Sequence, residues 1–157
     1  MKQQCNISFV YGSWIILLAG FIFWIYERNI VQAFVWVGFV SLFLWLYVRY
    51  FPKVSTLMGY GSVADVPAKD IQRSATKVVL YTGVGCPFCP LVRQRLKELQ
   101  SKIGFELAEL DVTLRPQLAI AKGIRALPMV EVGGAQWIGN ATSQQLADFI
   151  SQHTVTK

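Results

Sequence analysis

Two long stretches without a single charge set the first limit on what this chain can fold into. Ile7 to Tyr26, ISFVYGSWIILLAGFIFWIY, runs for about 20 residues, and Ile30 to Val48, IVQAFVWVGFVSLFLWLYV, for about 19; neither contains Asp, Glu, Lys or Arg. At 1.5 Å rise per residue each spans roughly 30 Å as a helix, the thickness of a bilayer's hydrocarbon core. Core helices of water-soluble domains rarely go so far without charge, and the apolar stretch of a cleavable signal peptide is shorter and precedes a small-residue cleavage site. Only Glu27, Arg28 and Asn29 separate the runs, so the helices turn back on each other as an antiparallel hairpin. Tyr11, Trp14, Trp24, Tyr26, Tyr47 and Tyr50 sit near the run ends, where amphipathic rings favour the headgroup layer.

The flanks set the expected orientation. Lys2 and the terminal amine precede the first helix, Arg49 and Lys53 follow the second, and the tip holds one arginine beside one glutamate. Positive charge is retained on the cytoplasmic side, so the expected location is the inner (cell) membrane, multi-pass, with both termini cytoplasmic. Beyond the runs the composition changes: four of the five tryptophans lie in the first third of the 157 residues, and most of the charge lies after it. The expected organisation is a transmembrane hairpin over 1–53 (helices about 7–26 and 30–50), a linker over 54–76 and a folded domain over 77–157, with Pro52, Gly59, Gly61 and Pro67 interrupting the connection after the second helix. The net charge of +6 divides as +3, zero and +3 over those parts, too evenly spread for a nucleic-acid-binding surface.

From Lys77 the pattern becomes one of short strands and helices. KVVLY (77–81) reads as a strand, Cys89 to Ile103 as an amphipathic helix, Phe105 to Asp111 as a strand, and TLRPQLAIAKG as a short helix with Pro116 in its first turn. MVEV (129–132), Gly133-Gly134 and AQWIG form a hairpin, and Thr142 with Gln145 three residues on is a capping-box start for a last helix. The order is β-α-β-α-β-β-α.

Within GCPFCPLVRQRL (85–96), Cys86 and Cys89 can be a redox pair, half of a metal site or an inert disulfide. Zinc needs about four ligands, and Cys5 and His153, the other soft donors, stand at opposite ends of the chain. An inert bridge here closes a loop too short to stabilise much. A redox pair suits the placement: with Cys86 bare at a helix N-terminus and Cys89 one turn inside, the helix dipole favours a thiolate and draws the Cys86 pKa from about 8.5 toward roughly 4 to 7. Pro87 stiffens the turn, and Cys89 stands within disulfide reach.

The Cys-x-x-Cys at a strand-to-helix turn, followed about 40 residues later by Ala126-Leu127-Pro128 entering a strand, resembles the thioredoxin and glutaredoxin superfamily. The C-P-F-C-P-L-V run is similar to glutaredoxin-like thioredoxins and to one unit of the protein disulfide oxidoreductases; the likeness covers about residues 77 to 152, with the hairpin outside it. It implies an α/β thioredoxin-like domain with a mixed four-stranded sheet, Cys86 as attacking thiol and Cys89 as resolving thiol. It also implies a cis Pro128 facing the pair, and a substrate groove formed by Pro87, Phe88, Leu127 and Pro128 in which a client's backbone pairs next to Leu127. No metal and no resident cofactor is expected. Glutathione as co-substrate is disfavoured: Thr82-Gly83-Val84-Gly85 replaces the basic residue that glutathione users carry, and Gly139-Asn140-Ala141-Thr142 replaces their Gly-Gly-acidic signature, although Arg125 offers a cation for a carboxylate. Lys77 to Gly85 also lacks the buried aspartate of thioredoxins. The expected partners are protein thiol or disulfide clients among membrane proteins, the lipid bilayer and subunits of a membrane complex. The expected function is membrane-anchored thiol-disulfide oxidoreductase, with an accessory subunit carrying a packing or redox-sensing domain as the alternative. Cys5 is expected to be a small buried hydrophobe, and Arg93, Arg95 and Lys97 a wetted helix face.

Overall fold

The computed structural model describes residues 4–57, 65 and 76–154; most of the expected linker lies outside the described residues. A two-residue strand, β1 (Cys5–Asn6), leads directly into α1 (Ile7–Tyr26), and α2 (Ile30–Leu57) returns alongside it. Asn6 caps α1 by accepting from the Ser8 N–H at 3.0 Å, and Asn29 accepts from the Gln32 N–H at 3.2 Å where α2 begins. Between them Arg28 takes a left-handed φ of 55° to close the turn. The helices touch closely at Gly20, where an added Cβ would collide with the indole of Trp36, so the ring lies against the bare backbone of its neighbour. Both helices are long and apolar enough to cross a membrane, and only 6% of each apolar window is buried within the protein. Most of their length is thus left uncovered by the rest of the described chain.

Helix α2 runs further than expected, through Pro52 to Leu57 rather than ending near residue 50. The reason is packing: Phe51 stacks on Tyr47 at 4.7 Å and meets Phe88 edge-on at 6.0 Å, and Pro52 is buried beside Pro87 and Leu91. These contacts offset the hydrogen bond that a proline removes from a helix interior.

The C-terminal domain is built on β2 (Lys77–Thr82), β3 (Glu106–Asp111), β5 (Met129–Val132) and β6 (Ala135–Ile138), in the order β3-β2-β5-β6. Strands β2 and β3 are parallel, joined by the crossover helix α3 (Cys89–Ile103); β5 pairs antiparallel with both β2 and β6. The β5–β6 turn is Gly133-Gly134, with φ of 57° and 88°, the conformation in which glycine costs nothing. Short α4 (Pro116–Ala121) follows β3, and α5 (Ser143–His153) closes the domain behind the capping box of Thr142 and Gln145. Two short strands were not expected: β1 and β4 (Ala126–Leu127), which stand outside the four-stranded sheet and pair with each other.

Alternation along β2 sends side chains to two separate cores. Val78 and Leu80 join Leu96, Leu99, Val130, Leu146 and Ile150 under α3 and α5. Each fully buried leucine there contributes about 2 kcal/mol. Tyr81 on the opposite face joins Val112, Ala119, Ile124, Leu127 and Met129, and this second core is completed by Cys5 and Val10 from the N-terminal segment.

Polar contacts fasten the edges. Arg95 is buried, not wetted: it donates to Asn140 Oδ1 at 2.8 Å and to the Ala141 carbonyl at 2.6 Å, and pairs with Asp65 at 3.2 Å. Asp65 in turn accepts from the N–H and hydroxyl of Ser143, so a carboxylate sits at the N-terminus of α5 where the dipole favours it. Arg93 pairs with Glu109. On the other sheet face, Tyr81 donates to Glu131 Oε2 at 2.7 Å and Lys122 Nζ reaches Glu131 Oε1 at 2.8 Å, linking β2, β5 and the end of α4.

Burial pushes the Glu131 carboxyl up, but bonds from Lys122 and Tyr81 and the Lys122 charge outweigh it and leave the pKa below the ordinary 4.5. Lys122 is raised, first by its bond to Glu131. A depressed carboxyl contributes stability that is whole above its unfolded pKa and is lost as pH falls through the lower folded one. Glu131→Gln should therefore destabilise the detergent-solubilised protein by about 1 kcal/mol at pH 7, the usual worth of such a bond. The gap between wild type and variant in urea midpoint should narrow at pH 3. A gap that stays constant across that range would rule out the electrostatic part of this link.

Candidate functional site

The turn between β2 and α3 carries the two cysteines. The Cys86 N–H donates to the Gly83 carbonyl at 3.1 Å, and the Val84 N–H donates to Thr113 Oγ1 at 2.8 Å, pinning the loop at both ends. Gly83 must be small: a Cβ there would lie 2.7 Å from Leu127 Cδ1 and 3.6 Å from Val10 Cγ1. The absence of a side chain lets the cysteine loop lie against both the β4 segment and the base of α1.

Cys86 and Cys89 are joined as a disulfide with Cα atoms 5.5 Å apart. The helix begins at Cys89, as its apolar spacing predicts, with Phe88 as N-cap and Pro90 just inside the first turn; the expectation of Cys89 one turn inside a helix that opens at Cys86 is not met. Cys86 thus stands three residues ahead of the helix rather than on its first turn. Nor is it bare: Cys86 is 2% and Cys89 3% exposed, enclosed with Phe88, Leu127, Met129, Cys5 and Val10 in one apolar cluster. Sequence spacing showed where the sulfurs would lie along the chain; it carried no sign that the base of the hairpin would cover them.

The other expected groove residues divide by burial. Pro87, Phe88, Leu127 and Pro128 are all buried, Phe88 and Leu127 in one cluster with the two cysteines, and the Leu127–Pro128 peptide is cis. Arg125 is exposed, and its carbonyl accepts from the Ile7 N–H at 3.1 Å. The backbone position beside Leu127, expected for a client, is held by the chain's own residues: Cys5 pairs with Leu127 and Asn6 with Ala126 in antiparallel register. Tyr11 reinforces this seat from the first turns of α1, its hydroxyl donating to the Val112 carbonyl at 2.9 Å.

Two features of the site were not read from the sequence. Cys5 is buried, as expected, but its place opposite Leu127 was not foreseen; desolvation raises its thiol from 9.0 to about 11, so it stays protonated at neutral pH. Nothing local to residue 5 announces a partner more than a hundred positions away. The second is the charged pair tied into the same cluster through Tyr81. The cysteine segment itself lacks a carboxylate, but Glu131 on the neighbouring strand bonds the Tyr81 hydroxyl, and burial followed by that bond raises the tyrosine pKa. Only the β2–β5 register brings these residues together.

No protein-family model matches the chain. A probable thioredoxin of Methanothermobacter thermautotrophicus is 22% identical over 77 residues, covering 47% of this chain and 91% of that protein. Among solved structures, a mutant thioredoxin of Halobacterium salinarum matches at TM-score 0.47 and 18% identity, covering 62% of this chain and 99% of that one. The NTD_N/C domain of alkylhydroperoxide reductase AhpF from Enterococcus faecalis matches at TM-score 0.47 and 21% identity, over 70% and 51% of the two chains. The sheet order, the cysteine pair at the start of α3, the cis Leu127–Pro128 peptide and the sequence similarity to a thioredoxin together make the C-terminal domain a thioredoxin-like fold, preceded by two long apolar helices.

Proposed function

We propose that this chain is a membrane-anchored thiol-disulfide oxidoreductase. The observation that carries the reading is the closed Cys86–Cys89 pair at the strand-to-helix turn, packed in one cluster with Leu127 beside the cis peptide to Pro128. In the reduced state the Cys86 thiolate attacks one sulfur of a client disulfide. A Cys86–client bond forms, the client's own S–S bond breaks, and its departing thiolate takes a proton. Cys89 then attacks Cys86 Sγ, releasing the second client thiol and restoring the Cys86–Cys89 bond. An external dithiol must return the pair to its reduced form. Apolar Phe88 and Leu127 share the pair's buried cluster, and Arg125, two residues before Leu127, is exposed.

The hairpin of 1–53 spans the inner membrane in this reading, with both termini cytoplasmic and clients drawn from membrane proteins and their neighbours. Tethering raises their effective concentration at the pair, and a cytoplasmic thiol pool drives the direction toward reduction. Glutathione has no dedicated site in the proposal. The burial of both cysteines favours a second reading, in which the domain is a redox-sensing module of a membrane complex.

Two measurements test these statements. Membranes containing Cys89→Ser should yield dithiothreitol-labile adducts that disappear when Cys86 is also replaced by serine. Absence of adducts, together with a stoichiometric partner that survives replacement of both cysteines, would establish the sensing module instead. Protease added to sealed inside-out vesicles should remove the domain after residue 57, whereas right-side-out cells should protect it; the reverse pattern would turn the enzyme outward, where oxidation is favoured.

A further inference from the structure

Strand β4 has two residues, and among the described residues its ladder partner is β1, not any strand of the main sheet. Such an edge needs a partner for its N–H and C=O groups, and it accepts any extended segment that reaches it. The bond from the Ile7 N–H to the Arg125 carbonyl makes 7 and 125 a hydrogen-bonded pair. By the alternation of an antiparallel ladder, Cys5 and Leu127 are then the next such pair, so Leu127's backbone is already engaged. The same segment walls in the redox pair: Cys5, Val10, Leu127 and Cys86 share one buried cluster. A client disulfide cannot bring its backbone beside Leu127 while β1 lies there.

Resting on the oxidoreductase reading above, we propose that residues 4–7 are a tethered strap occupying the client-strand position, and that a client reaches Cys86 only when its own extended strand displaces β1 from β4. The ladder has only two residue pairs, and a longer client strand replaces it by strand addition. The strap blocks without reacting, because the Cys5 thiol opposite Leu127 is held protonated by burial. Displacement also bears on the hairpin, since Asn6 is both the second residue of β1 and the N-cap of α1, and Tyr11 one turn on is bonded to Val112. The seat of α1 against the domain therefore sets how readily the strap leaves.

The test uses the full chain in lipid nanodiscs, on a Cys89→Ser background, with insulin as disulfide probe. Ile7 is the first residue of α1, a position where proline suits a helix and its missing N–H costs nothing to the helix itself. Ile7→Pro thus removes the bond to Arg125 and spares α1. Adduct formation with insulin should accelerate about tenfold, the factor that one lost hydrogen bond is worth. An unchanged rate overturns the strap and leaves the oxidoreductase reading intact. Hydrogen exchange at the Ile7 amide, read in the otherwise unaltered Cys89→Ser protein, guards against a variant that misfolds: protection should disappear once insulin is attached to Cys86, and protection retained in the adduct also overturns the strap. No adduct in either protein removes the oxidoreductase reading, and the strap with it.

Discussion

A sheet whose strands are apolar on both sides has to be covered twice. Here β2 sends Val78 and Leu80 to one face and Tyr81 to the other, and the domain's own long helices, α3 and α5, cover only the first. The six residues of α4 are too few to cover the second, so the base of the hairpin does it, with Cys5 and Val10 packed among Tyr81, Val112 and Met129. The apolar N-terminal segment is thus part of the domain's core as well as a candidate anchor. The cysteine pair lies at the rim of the face that the hairpin covers, which is why both sulfurs are enclosed.

Most of what the sequence disclosed is local. The helix over 89–103, the capping box at Thr142, the two-glycine turn and the two apolar runs each follow from patterns within about a dozen residues, and they stand where those patterns put them. What stayed hidden depends on distant pairings. Cys5 meets Leu127, Asp65 meets Arg95, and Glu131 meets Tyr81; each contact is set by sheet register or docking, neither of which leaves a periodic trace. Arg95 shows how the local rule fails: its spacing allows a wetted face, yet three acceptors from two other segments draw the guanidinium inside. The extension of α2 through Pro52 fails the same way, since proline marks a helix end only when no tertiary contact opposes it.

The site divides along the same line. The two cysteines and the proline after Leu127 were legible because their chemistry is carried by residue type and spacing. Their accessibility was not, because it depends on a segment that the sequence places some eighty residues earlier. The start of α3 at Cys89 moves Cys86 off the helix end, so the dipole acts on its sulfur from one further step away than spacing alone suggests.

A strap joined to the domain through its own chain competes differently from a free inhibitor. Its effective concentration is fixed by the tether and does not fall on dilution, so a client must bring either a longer matching strand or a high local concentration of its own. In the proposed reading a protein held in the same membrane meets the second condition without tight binding, whereas a soluble disulfide protein has to rely on its own strand and its bulk concentration. Selectivity for neighbours then needs no specificity pocket. It follows from two tethers, one on each competitor, contending for the same two residues of backbone beside the redox pair.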